Sequence, residues 1–358
     1  MHFGADLCLG IIERRLNFEG GRRGPGGILF CGGPEIAGEI ERLSRIEAWA
    51  AQEPWQADSD VAVFYSSSRS PRYADALTPG PQFNCAYGML HQVASTLGAP
   101  CSVYQIEDVV DPRVAERHRL LVFLNAEVLT DEQCAAIERL KAGGRTLVFM
   151  WAPGYVDEQR GFLPERVSAV TGIDLRIDHE PMRAQIEIEP GSALDAACAE
   201  PDFAELLPYA NRALFRNEFG PRFVATDPDA QVLGRYAHNG EPGLARKRGE
   251  GFTSVFCGSC FMPREVLAWI ARVAGAHLYC EDARVQVSAC RSWLVARNLT
   301  GEPLACALSL KRRGRVVDAC TGATLATDAT SCTADLGAWE TRIFYLGERD
   351  CPGFALAE

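Results

Sequence analysis

Apolar and polar positions along the chain follow two rhythms, and the first is clearest between His118 and Tyr155, HRLLVFLNAEVLTDEQCAAIERLKAGGRTLVFMWAPGY. Leu120–Leu124 is an unbroken apolar run, which predicts a central parallel strand covered on both faces, where alternation disappears. Thr130 predicts a helix N-cap, with Asp131 and Glu132 in the positive first turn and Gln133 at the capping-box position. Ala136, Ile137 and Leu140 then share one apolar face. Gly143-Gly144 ends that helix, and Thr146–Trp151 is a second apolar strand, broken by Ala152-Pro153-Gly154. In β-α-β sheets of this kind ligands sit beyond the carboxyl ends of strands, at a switch in strand order. The loops Asn125-Ala126-Glu127 and Trp151–Tyr155 are therefore the places to look for chemistry.

The same rhythm extends on both sides. Val61–Tyr65 predicts the first strand of the main domain, ending in the polar loop Ser66-Ser67-Ser68-Arg69. Phe83–Leu97 predicts a helix and Cys101–Ile106 the second strand. Beyond Val167 come a short helix, strands at Ile173–Ile177 and Gln185–Ile188, and a hairpin of Gln231–Tyr236 with Leu244–Arg248 around His238-Asn239-Gly240. Thr253–Phe256 and the helix Arg264–Ala274 close the pattern. Upstream, Ile28–Cys31 reads as a short strand and Pro34–Ala51 as a helix with Ile36, Ile40, Leu43 and Ile46 on one face.

From Val285 the second rhythm begins, with strands expected at Val285–Ala289, Trp293–Asn298, Ala305–Leu310 and Gly337–Leu346 and little helix, a small β-sandwich pattern. The expected fold class is α/β: a flavodoxin-like three-layer domain followed by a small all-β sandwich. Residues 1–57 are read as a connector or barrel remnant, 58–280 as the α/β domain and 281–358 as the β-sandwich.

Composition narrows the function classes. The 358 residues are 47% hydrophobic and 23% charged, ordinary for a globular protein. No apolar run approaches membrane-spanning length, and the N-terminus lacks a basic start followed by an apolar stretch, so the expectation is a cytoplasmic protein. A net charge of -11 argues against a nucleic-acid-backbone binder. The fourteen cysteines are scattered. Cys257-Gly258-Ser259-Cys260 is the one CxxC, without a second ligand pair for zinc and without a helix starting at its first cysteine, so its thiols are read as structural. Gly32-Gly33-Pro34-Glu35-Ile36-Ala37-Gly38 has neither GxGxxG spacing nor a P-loop lysine, and no cofactor or metal is expected. Glu187 and Glu189 alternate on one strand, more often a solvated face than a catalytic pair.

Val61 to Trp151 resembles the class I glutamine amidotransferase-like fold. In active members the strand matching Thr146–Trp151 ends in a sharp elbow bearing a nucleophilic cysteine. Here that position is Trp151, so the resemblance implies no amidotransferase or peptidase chemistry there. Cys134 inside a helix and Cys85 before one are poor substitutes. A closer resemblance joins FLNAEVLTDEQCAAIERLKAGGRTLVFMWAPGY, the helix Val167–Gly172 and the terminal run Leu336-Gly337-Ala338-Trp339-Glu340-Thr341-Arg342-Ile343-Phe344-Tyr345-Leu346. It is similar to the C-terminal half of family 42 β-galactosidase-like glycoside hydrolases, whose catalytic barrel is followed by a degenerate amidotransferase-like trimerisation domain and a small β domain. Residues 1–57 are too few for a barrel of about 250 residues. The family's two carboxylates, held about 5–5.5 Å apart in retaining enzymes, are accordingly not expected in this chain, and no catalytic residue is assigned.

The leading expectation is thus a non-catalytic assembly module, a homo-oligomer (a trimer by resemblance) or the partner of a separate catalytic barrel. One alternative is a carbohydrate-binding protein using Ser66, Ser67, Asn125, Glu127, Trp151 and Tyr155 at the strand ends, where aromatic planes pack on sugar faces and polar groups bond hydroxyls. Another is a hydrolase of unrecognised design. The histidines, among them His91, His118, His238 and His277, form no nucleophile–base pattern.

Overall fold

A computed structural model of the chain describes residues 34–53, 58–66, 89–90, 96–180, 185–198 and 220–355. The expected strand Ile28–Cys31, most of the helix Phe83–Leu97, the loop positions Ser67 to Arg69, and residues Cys85 and His91 lie outside these. The chain groups into two compact units, Ser59–Ala283 and the combination of Met1–Asp58 with Arg284–Glu358.

In the larger unit, β1 (Val61–Tyr65), β2 (Cys101–Gln105), β3 (Leu120–Phe123), β4 (Arg145–Met150) and β12 (Phe252–Cys257) run parallel. Next come β11 (Pro242–Gly249), β10 (Gln231–Tyr236) and β8 (Ile186–Ile188), each antiparallel to its neighbour. The order of the eight strands is β2-β1-β3-β4-β12-β11-β10-β8. The unbroken apolar run has its cause here, since every side chain of β3 has zero exposure. On one face Val61, Val63, Leu120, Val122 and Val148 pack with Val266, Leu267 and Ile270 of a helix at Arg264–Val273. On the other face Ala62, Phe64, Leu121, Phe123, Leu147 and Phe149 meet Ala136, Ile137 and Leu140. Phe64, Phe123 and Phe149 stack across three neighbouring strands at 5.2 and 5.1 Å.

The central helix, Asp131–Leu140, forms with the expected capping box. The Gln133 backbone N–H donates to Thr130 Oγ1 at 3.2 Å, and the Thr130 N–H donates to Gln133 Oε1 at 2.8 Å. After it, Gly143 (φ 66°) and Gly144 (φ 74°) turn the chain through the left-handed region that glycine enters without steric cost. The polar start of β3 is also satisfied. His118 is buried, with Nδ1 3.0 Å from the Ser59 carbonyl and Nε2 3.2 Å from the Tyr104 hydroxyl.

Two features of this unit escape the sequence pattern. β9 (Arg222–Ala225) pairs with β7 (Leu175–Asp178) in a separate two-stranded sheet. A two-residue hairpin, β5 (Val156–Asp157) and β6 (Gly161–Phe162), follows the elbow loop. Strands this short carry no readable alternation.

In the smaller unit a helix at Pro34–Ala50 buries Leu43 and Ile46 against Trp293, Val295, Val317, Ile343 and Tyr345. Trp49 meets Trp293 and Tyr345 edge-on at 5.7 and 4.8 Å. The side chains of Ile36 and Ile40 lie outside the described residues. The strands β13 (Val285–Cys290), β14 (Trp293–Asn298), β15 (Leu304–Asp318), β16 (Thr324–Leu336) and β17 (Thr341–Tyr345) form one antiparallel sheet, ordered β13-β14-β17-β15-β16. Among the described residues this is a single five-stranded sheet, where the sequence suggested two packed sheets of shorter strands. The reason is β15. It continues past Leu310 through Lys311–Arg315, polar residues that look like a turn but run on as a ribbon with register shifts against β16.

Candidate functional site

The order β2-β1-β3 places a switch between β1 and β3, and the strand-end loops meet there. Asn125, two residues after the end of β3, is 1% exposed. Its Oδ1 accepts from the Ser66 backbone N–H at 2.8 Å and its Nδ2 donates to the Ser66 carbonyl at 2.8 Å. A side-chain amide carries the same donor and acceptor as a peptide unit, so Asn125 extends the β1–β3 pairing by one residue. Both of its hydrogen-bonding ends are turned to the backbone. Glu127 is 2% exposed, and its backbone carbonyl accepts from Val156 N–H at 2.8 Å.

Trp151 follows β4 with φ 55°, a left-handed conformation unusual for a bulky residue. The chain turns there into the loop before the β5–β6 hairpin, and the side chain at the turn is an indole that is 1% exposed. Its backbone N–H donates to the Cys257 carbonyl at 2.7 Å and its Nε1–H to the Pro221 carbonyl at 2.8 Å. Tyr155 is buried between Phe162 (5.1 Å, stacked) and Phe223 (5.4 Å, edge-on), and burial raises its hydroxyl pKa. The structure thus brings Ser66 and Asn125 together, and sets Trp151 and Tyr155 in the core that continues from the sheet. Ser67 lies outside the described residues.

Cys257 ends β12 and Cys260 follows it inside the same core. The Cys257 thiol sits 3.9 Å from the Phe261 carbonyl, and burial pushes its pKa up to about 12. Between them Gly258 is required by packing, because a Cβ there would stand 1.8 Å from the Tyr236 hydroxyl, which donates to the Phe223 carbonyl. Such a thiol stays protonated and unreactive at neutral pH. Cys134, half-buried in the helix Asp131–Leu140, is likewise shifted upward by burial. Of the alternating acids, Glu187 is exposed and Glu189 pairs with Arg235.

A charged cluster that no motif announces lies beside the elbow. Arg166 contacts Asp157 at 3.1 Å and Asp131 at 2.6 Å, and Arg160 contacts the same two carboxylates. The hydrogen bond from Arg160, then those from backbone N–H groups of Arg160 and Gln159, holds the Asp157 carboxyl well below the usual range. Only the three-residue spacing of Asp157 and Arg160 hinted at it in sequence. Among the described residues no group of three or more His, Cys, Asp or Glu is placed to hold a metal, and no helix is long and apolar enough to cross a membrane.

The fold recurs in solved structures. A β-galactosidase from Bacillus circulans sp. alkalophilus superposes with a TM-score of 0.64 at 14% identity, covering 87% of this chain and 44% of that one. A catalytic mutant of a GH42 β-galactosidase from G. stearothermophilus gives 0.60 at 14% identity (87% and 43%), and the β-galactosidase of the haloarchaeon Halorubrum lacusprofundi 0.58 at 15% identity (88% and 43%). The fold is that of part of a GH42 β-galactosidase. The chain spans less than half the length of these structures. No protein-family profile matches the sequence, and no curated protein matches it.

Proposed function

We propose that this chain is a non-catalytic assembly module of a β-galactosidase-like glycoside hydrolase. In this reading its larger unit is a flavodoxin-like, degenerate amidotransferase-like domain and its smaller unit the accompanying β domain. The observation that carries the proposal is Trp151, a buried indole whose Nε1–H donates to the Pro221 carbonyl, at the turn that follows β4. The parallel order β2-β1-β3-β4-β12 supports the flavodoxin-like assignment, since it matches that fold's strand sequence. Likeness to less than half of each β-galactosidase supports a role as one part of a larger assembly, through self-association or beside a catalytic barrel.

The carbohydrate-binding alternative draws less support. Its candidate residues Asn125 and Trp151 spend their polar groups on Ser66 and Pro221, and Tyr155 is enclosed by aromatic rings. The test is sedimentation of the chain alone and mixed with a β-galactosidase barrel from the same source, beside a panel of chromogenic glycosides and glutamine. Self-association or barrel binding without turnover is the expected result. A strict monomer that binds no barrel, or turnover abolished by one point substitution, would overturn the proposal.

A further inference from the structure

Strand β11 carries three cations in a row, Arg246-Lys247-Arg248. Side chains alternate along a strand, so Lys247 lies on one face of the sheet and both arginines on the other. Lys247 meets the buried Asp227 carboxylate at 2.6 Å. The arginines have no such partner: acidic residues outnumber basic ones by 47 to 36, yet among the described residues no carboxylate pairs with either. Two like charges on one face, about 7 Å apart along the strand, repel each other. Burial, and then the nearby Arg248, lower the Arg246 pKa.

The surroundings fix this pair in place. The Arg246 guanidinium lies over the Trp269 ring, 5.3 Å from its centroid, and its Nη2 donates to Gln231 Oε1 at 2.7 Å. Ring and amide set the plane of the fork and leave N–H groups to donate elsewhere. Strand register adds neighbours on the same face, with Gln231 of β10 opposite Arg246 and Thr253 of β12 opposite Arg248. The helix Arg264–Val273 follows β12 and returns along the sheet in the direction of β11. Four helical residues advance about 6 Å, close to a two-residue step of strand. Trp269 accompanies Arg246, and Val273 is thereby carried alongside Arg248. Val273 is 48% exposed, so an apolar ledge borders the exposed guanidinium.

We infer that Arg246 and Arg248 form a binding site for a phosphoryl group, either inorganic phosphate or a phosphate monoester. Two adjacent cations match a dianion, whereas a single carboxylate would leave one of them uncompensated. Guanidinium forks bond phosphate oxygens in pairs, and the Gln231 amide and Thr253 hydroxyl stand beside them as neutral donors. The two sources differ at Val273, because a monoester brings an organic group for the ledge to cover and inorganic phosphate does not. The site is independent of the assembly reading.

The experiment is isothermal titration calorimetry of the full chain at pH 7.5 with sodium phosphate and with phenyl phosphate, at ionic strength held constant with sodium chloride. A phosphate monoester is close to dianionic at that pH. Thermal unfolding in the same buffers reads binding as a raised midpoint, and circular dichroism confirms that each variant folds. Both anions are expected to bind, phenyl phosphate more tightly. Arg248→Gln should weaken each about tenfold or more, as for a lost charge-assisted hydrogen bond, while in chloride alone it should be no less stable than wild type because it relieves the repulsion. Arg246→Lys keeps the charge without the fork and should weaken both as well. Val273→Ser should remove the advantage of phenyl phosphate and leave inorganic phosphate unchanged. Equal affinities, unmoved by Val273→Ser, would support inorganic phosphate as the source. No heat with either anion, or affinities unchanged in Arg248→Gln, would overturn the inference. A midpoint raised equally by chloride at the same ionic strength would reduce the effect to screening of two like charges and overturn it too.

Discussion

Replacing Trp151 with alanine separates a packing role from a recognition role. The indole is 1% exposed, so truncation removes a fully buried aromatic side chain and leaves a cavity. Large-to-small changes of this kind cost about 3–5 kcal/mol. The Pro221 carbonyl loses its 2.8 Å partner as well, and an unsatisfied buried acceptor adds about 1–3 kcal/mol unless water enters. Alanine also disfavours φ 55°, so no strain is released to compensate. For a unit the size of Ser59–Ala283 the cavity alone lowers the melting temperature by roughly 6–20 °C.

The assay is urea and thermal unfolding of wild type, Trp151→Ala and Trp151→Phe. Phenylalanine restores most of the bulk without the N–H and should recover most of the loss. Added indole should raise the midpoint of Trp151→Ala and leave wild type unmoved, because a ligand that binds only the folded state stabilises it by mass action. A Trp151→Ala loss below about 1 kcal/mol would refute the reasoning, since it would show that the indole is not a packed core group. Loss of galactoside binding at unchanged stability would instead establish recognition.

Three further outcomes are expected. Asn125→Asp keeps the shape but presents only acceptors to the Ser66 carbonyl, which the native amide meets as a donor at 2.8 Å; it should cost at least about 2 kcal/mol in urea unfolding, with faster hydrogen exchange at the Ser66 amide. Asp157 titrates in the folded state below its ordinary carboxylate range, so its stabilisation is complete above about pH 4, the unfolded value. That stabilisation is lost as pH falls through the lower folded pKa, and Asp157→Asn should be less stable at pH 7 but flatter in acid; parallel wild-type and variant profiles would contradict this. Cys257, with its thiol pushed up to about 12 by burial, should resist iodoacetamide at pH 8 in the folded protein and react once unfolded, as read by peptide mass spectrometry.

The sequence by itself determined the elements whose causes are local. The helix Asp131–Leu140 needs only Thr130, Gln133 and the spacing of its apolar residues, all within one stretch of chain. Leu120–Phe123 and Arg145–Met150 announce themselves by continuous apolarity, which is the imprint of burial on both faces. The end of that second strand was legible in Ala152-Pro153-Gly154. The single five-stranded sheet was not, because the charged run Lys311–Arg315 resembles a turn and its pairing with β16 is set by a partner strand further along the chain.

Only the tertiary structure decided what the strand-end residues do. Asn125 finds Ser66 across 59 residues, and Trp151 finds Pro221 across 70. Neither partner carries a pattern that names the other, since a hydrogen bond to a backbone group depends on where the chain passes and not on which side chain is there. The hairpin that displays Phe162 is the same case, with Asp157, Arg160 and Arg166 closing on Asp131 from a different element. Local pattern specifies an element through its own neighbours. The site is specified by distant backbones brought together, and that information exists only once the fold has formed.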